Sequence, residues 1–169
     1  MFGASSRLMK PSLLIASLFT LACVASAVAH ERVISPDKRF EAYTKPDTAD
    51  GLGAKLFLRA AGSSAPGVLL CKNDRWIAAQ WSPDSRFLAV ADHNDGHITD
   101  VFIYRIVSAA APPGVTHTLR YQSSEPRTYD TKWEVVAWDS KHSTATLLRS
   151  TLKDKRRLTV SLDKNSKLR

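Results

Sequence analysis

The 169 residues carry 24 Lys and Arg against 16 Asp and Glu, a formal charge of +8, and only two cysteines. A chain of this length builds one domain with a real core, and its basic balance points to anionic partners. So few cysteines exclude a disulfide framework and leave the fold to be held by that core.

The N-terminus reads as a secretory signal peptide over residues 1–29. Arg7 and Lys10 form a positive region, Leu13 to Val28 is apolar, and Ala27-Val28-Ala29 is an A-x-A cleavage signal. The apolar run is short for a membrane span, so no transmembrane span is expected in the mature chain. Thr20-Leu21-Ala22-Cys23 is similar to a lipobox and supplies an alternative, a lipid anchor at Cys23. Cleavage after Ala29 removes 29 of 169 residues, leaving the 140 of 30–169 as a single domain, and loses two positive charges, taking +8 to +6. Cys71 is then the one remaining cysteine, expected as a buried strand thiol. The expected location is periplasmic or secreted.

In chain order, ten short runs read as strands. They are Arg39 to Thr44, Lys55 to Ala60, Gly67 to Lys72, Trp76 to Trp81, Phe87 to Ala91, Val101 to Val107, Thr116 to Tyr121, Trp133 to Trp138, Ala145 to Arg149 and Arg157 to Leu162. They are rich in β-branched and aromatic residues, and clusters of Pro, Gly, Asn, Asp and Ser separate them. No segment keeps helical periodicity, so the fold class is all-β.

Two phrases recur. Ser35-Pro36-Asp37-Lys38-Arg39-Phe40 returns as Ser82-Pro83-Asp84-Ser85-Arg86-Phe87, and Trp76-x4-Trp81 returns as Trp133-x4-Trp138. Such self-similarity indicates stacked or radial repeats. The spacing gives a unit that starts at Ser-Pro-Asp and ends in the double-tryptophan strand, so that two four-stranded units are followed by a two-stranded remnant. Trp76, Trp81, Trp133 and Trp138 are expected between sheets.

Trp81-Ser82-Pro83-Asp84-Ser85-Arg86-Phe87-Leu88-Ala89-Val90, followed by Val101-Phe102-Ile103-Tyr104, resembles the W-S-P-D-G-x-x-L-A-F … I-Y pattern of WD40-like repeats in TolB-type β-propellers. Residues 35–44 form a partial second copy, Trp138-Asp139-Ser140-Lys141-His142 is a third without the proline, and Ser85 stands where the pattern has Gly. The resemblance implies propeller-like antiparallel blades, about two and a half of them. Closure takes four or more, so it implies an incomplete propeller whose open edges call for cover by solvent, the termini, a partner or a second copy in a homodimer.

Asp92-His93-Asn94-Asp95-Gly96-His97 with Asp100 is the densest group of potential ligands. Two histidines and three carboxylates suit a metal site or an acid–base pair, whereas Asn94-Asp95-Gly96 suits a hairpin turn between two apolar strands. Cleavage after Ala29 would add the α-amine and imidazole of His30, a chelating pair suited to copper, with His93, His97, His117 or His142 completing the set. No hydrolase elbow, zincin, C-x-x-C or phosphate-loop signature is present, so no enzyme and no cofactor are expected.

The run Lys153-Asp154-Lys155-Arg156-Arg157 with Lys164, Lys167 and Arg169 concentrates positive charge near the C-terminus. It reads as a solvated charged hairpin and tail, or as a contact for an anionic envelope polymer, lipid headgroups or an acidic protein. In an exported protein nucleic acid is not an expected target. The expected function is protein binding in the bacterial envelope, as an inhibitor or immunity partner of an envelope enzyme that inserts the Asp92–Asp100 loop, or as a scaffold. The alternative is a metal-binding or hydrolytic protein that uses the same loop.

Overall fold

A computed structural model describes residues 31–48, 53–93, 97–109, 115–122 and 130–163. The expected signal peptide, Cys23, His30, Asp95, Lys164, Lys167 and Arg169 lie outside the described residues. The fold is all-β. Its strands are β1 (Arg32–Ile34), β2 (Phe40–Pro46), β3 (Ala54–Ala60), β4 (Val68–Asn73), β5 (Trp76–Trp81), β6 (Phe87–His93), β7 (Thr99–Ala109), β8 (Val115–Gln122), β9 (Lys132–Asp139), β10 (Thr144–Ser150) and β11 (Lys155–Ser161). Among the described residues no helix is long and apolar enough to cross a membrane.

A four-stranded sheet runs β1-β2-β3-β4, and a seven-stranded one runs β11-β10-β9-β7-β6-β5 with β8 also paired to β7. Within the larger sheet β7 meets β9 at a single parallel pair, Thr99↔Lys132, where the Thr99 amide donates to the Thr131 carbonyl at 3.0 Å. Among the described residues every other pairing is antiparallel between chain neighbours. The chain therefore forms three groups, β1–β4, β5–β8 and β9–β11.

This grouping corrects the unit drawn from sequence spacing. Each double-tryptophan strand opens a group instead of closing one: β5 pairs with β6 from Trp76↔His93 to Trp81↔Leu88, and β9 pairs with β10. The reason is the Ser-Pro-Asp turn, which joins adjacent antiparallel strands. The Ser82 amide donates to the Phe87 carbonyl at 2.9 Å, as the Ser35 amide does to Phe40 at 2.9 Å.

The two copies of that turn are built alike. Ser35 Oγ donates to Asp37 Oδ1 (2.7 Å) and accepts from the Phe40 amide (3.0 Å), while the Asp37 carboxylate accepts from the Arg39 amide (3.1 Å) and Nε (2.6 Å). Ser82, Asp84, Arg86 and Phe87 repeat the set at 2.6, 2.9, 3.2 and 2.6 Å. Lys38 and Ser85 both sit at φ 61°, a left-handed conformation that costs a non-glycine residue about 1 kcal/mol. Ser85 has a compensating contact, because its buried hydroxyl accepts the Asp37 amide at 3.0 Å and ties the first turn to the second. Arg86 Nη2 donates to the Ser140 carbonyl at 2.7 Å and ties the second turn to the third.

Side-chain alternation buries both faces of the middle group. Leu88 and Val90 of β6 and Tyr104 of β7 pack with Phe40, Ala42, Leu56, Leu58, Ile77 and Trp81. Phe87 and Ala89 of β6 and Val101 and Ile103 of β7 pack with Trp133, Ala145, Leu147, Val160 and Leu162. An aromatic pair marks each interface: Trp81 stacks on Phe40 (6.2 Å) and Trp138 on Phe87 (6.5 Å). Trp81 Nε1 also donates to the Val33 carbonyl at 3.1 Å. The basic run lies on β11, an edge strand whose Lys155, Arg156 and Arg157 are exposed. Charges there discourage edge-to-edge association.

The turn carboxylates predict an acid response. Burial pushes the Asp37 carboxyl up, but the Ser35 hydroxyl and the Arg39 amide and guanidinium outweigh it and hold the group at about 2. Asp84 is held below the ordinary value in the same way by Ser82 and Arg86. A carboxyl depressed in the folded state contributes stability above its unfolded value, and that contribution is lost as pH falls through the folded value. For Asp37 the window runs from 3.8 down to about 2. Urea unfolding is expected to weaken steeply across it and to weaken less in Asp37→Asn; equal slopes in the two proteins would contradict this.

Candidate functional site

The structure disperses the Asp92–Asp100 group. Asp92 and Asp100 are a cross-strand pair of β6 and β7, both buried, on the face they share with Leu88, Val90 and Tyr104. His93 takes the opposite face and is hydrogen-bonded through Nδ1 to Thr99 Oγ1 at 2.9 Å. His97 Nδ1 meets Asp130 Oδ1 at 2.6 Å in an exposed pair. His142 pairs with Asp139 at 2.7 Å at the β9–β10 turn. Among the described residues no three His, Cys, Asp or Glu side chains are grouped as a metal site requires. Cys71 lies under Asp92 and Tyr104; burial, then the Asp92 charge, pushes its thiol up to about 12, so the thiol stays protonated at neutral pH.

His93 instead opens onto a cavity of about 380 Å³ between the second and third groups. Ala78, Ala89 and Ala91 make the space, because small side chains stand there among bulky core neighbours. Trp133 and Val135 of β9 provide apolar wall, and Gln80, His93, Thr99, Lys132, Glu134 and Ser150 provide polar groups. Burial, and then the Lys132 ammonium, hold the His93 imidazole below 6.5, so its ring is uncharged at pH 7. A space of this size, mostly apolar with a few polar groups, is of the kind that takes a ligand or an inserted side chain.

Strand edges run along the cavity. Three successive residues of β5, Ala78 to Gln80, and four of β9, Lys132 to Val135, line it. β5 ends the sheet, and the Ala79 amide on its outer side donates to Glu31 Oε1 at 3.3 Å. Beyond Lys132, β9 is paired along its length with β10 and, among the described residues, with no strand on its other side.

The four tryptophans divide. Trp81 and Trp133 are buried, and Trp138 packs against the second core layer. Trp76 corrects the expectation of an inter-sheet core residue, for it is 56% exposed and its ring lies on His93, centroids 3.4 Å apart and planes 11° from parallel. It pairs with the last residue of β6 and so stands at the end of the hairpin. Trp133, in the matching position, is turned onto β6 and β7. Of the polar residues of the cavity wall, His93 is a candidate from the sequence, whereas Gln80, Thr99, Lys132, Glu134 and Ser150 escaped sequence reasoning. The available signal was the alanines at 78, 79 and 91, where the matching positions of the repeats carry Val135, Val136 and Thr44. Comparison of the chain with known protein families finds no match, and none is found among curated proteins.

Proposed function

We propose that the protein is an exported, non-enzymatic binding protein of the bacterial envelope, and that the cavity between its second and third groups takes up an extended segment of a partner protein. The observation that carries this reading is the edge of β9, which faces a roomy cleft and, beyond Lys132 and among the described residues, is paired on one side only. Extended segments bind such edges through the main chain, with side-chain pockets giving selectivity. The leader at residues 1–29 supports export. The three face-to-face groups, with their repeated turns and Trp–Phe stacks, support a propeller-like arrangement of blades that stays open at both ends. An inhibitor or immunity partner of an envelope enzyme and a scaffold both fit; they differ in whether an enzyme's activity disappears on binding.

The test is a pull-down from the envelope fraction with the protein and with Ala78→Phe, which fills the cleft from β5. A stoichiometric partner retained by the native protein and lost by an equally stable Ala78→Phe is the expected result. A partner held equally by both would place the contact elsewhere, and no partner at all would overturn the binding reading.

A further inference from the structure

The outer face of the first sheet carries a row of like charges. Register places Lys45 of β2 opposite Lys55 of β3, and Lys55 opposite Lys72 of β4, about 5 Å apart at each step. Like charges in direct cross-strand opposition destabilise a sheet. Asp47, the residue after β2, relieves part of this by pairing with Lys55 at 2.5 Å and with Lys72. Lys45 has no carboxylate partner among the described residues; its Nζ rests 5.7 Å from the ring centres of both Tyr43 and Phe57.

The neighbouring rows extend the pattern. Tyr43, Phe57 and Leu69 are in register across β2, β3 and β4, and the two rings stack at 5.5 Å. Beyond them Glu41 is clamped between Arg32 and Arg59, and Arg59 also lies over the Tyr43 ring at 4.5 Å. Among the described residues the face thus presents Arg32, Lys45, Lys55, Arg59 and Lys72 against Glu41 and Asp47, with Asp74 also acting on Lys72 from beyond the end of β4. Glu41 and Asp47 are each held by a pair of cations, so the face is built to bind carboxylate.

We propose that this face, centred on the Lys45–Lys55–Lys72 row, is a docking surface for an acidic segment of a partner protein. It is separate from the cleft and does not depend on what the cleft binds. Charge complementarity sets the sign of the partner, and the rings decide its class. Tyr43 and Phe57 lie beneath Lys45 and Arg59 and offer no open platform for stacking bases. Two apolar side chains project, Ile34 of β1 and Leu69 of β4, 48% and 47% exposed; they stand on opposite edge strands of the sheet and form no continuous patch that would seat it in a bilayer interface. A protein segment bearing carboxylates satisfies the surplus cations without displacing either layer.

The test titrates labelled poly-L-glutamate with the purified protein. Lys45→Gln/Lys72→Gln should weaken binding by about tenfold, with the affinity falling as salt is added. The charge-matched control Lys155→Gln/Arg157→Gln on β11 should weaken it by less than about twofold. Lys45→Gln alone breaks no ion pair, so it keeps the fold intact and should still weaken binding by about threefold. Absence of binding, equal losses in the two double variants, or tighter binding to phosphatidylglycerol vesicles or to single-stranded DNA would overturn the proposal. None of these outcomes bears on Ala78→Phe, so the face and the cleft stand or fall separately.

Discussion

Trp133→Ala is expected to destabilise the fold by about 3–5 kcal/mol, and Trp76→Ala by about 0.5 kcal/mol or less. The two residues occupy the same place in the repeated Trp-x4-Trp phrase, at the first or second position of the double-tryptophan strand. Trp133 is 4% exposed and packs with Val101, Ile103, Ala145 and Leu147, so truncation removes buried contacts and enlarges a space that neighbouring strands cannot close. Trp76 stacks on one imidazole and is otherwise largely in water. Urea unfolding of both variants checks the contrast. Similar losses would mean that the start of β5 is covered as the start of β9 is, and would restore the expectation that all four tryptophans are core.

The second large effect concerns two consecutive residues. Phe87→Ala should cost about 3–5 kcal/mol and Leu88→Ala about 2–5 kcal/mol, each a large part of the 5–15 kcal/mol that holds a typical domain together. Adjacent strand residues point to opposite faces, so a sheet with one solvated face would tolerate one of the two changes. Here Phe87 packs toward β9–β11 and Leu88 toward β1–β4, and neither has access to water. Equilibrium unfolding with both single variants tests this directly. A tolerated Phe87→Ala would mean that the third group does not cover the second.

The all-β class and nearly every strand were legible because short β-branched runs between turn residues have few other ways to fold. The Ser-Pro-Asp turn was legible too, since serine, aspartate and arginine at those spacings close the same set of hydrogen bonds twice. The phase of the repeat was not. A double-tryptophan strand followed by a turn reads equally well as the last strand of one unit or the first of the next, and only the Ser82–Phe87 backbone pairing decides. β1 escaped because Arg32–Ile34 is too short to show alternation. The Asp92–Asp100 group looked convergent in sequence, but strand alternation sends Asp92 and His93 to opposite sides of β6. The cavity and the lysine row arise from what side chains face after pairing, the alanines of β5 and β6 in one case and register across three strands in the other, and neither is a pattern along the chain.

Amide hydrogen exchange on the protein alone and in complex with its captured partner locates the bound segment. An extended segment laid in the cleft should slow exchange at Lys132 to Asp139 of β9 and at Ile77 to Trp81 of β5, and leave the far edge on β11 unchanged. Protection confined to other strands, with β5 and β9 exchanging as they do in the free protein, would mean that the cleft is not where the partner binds.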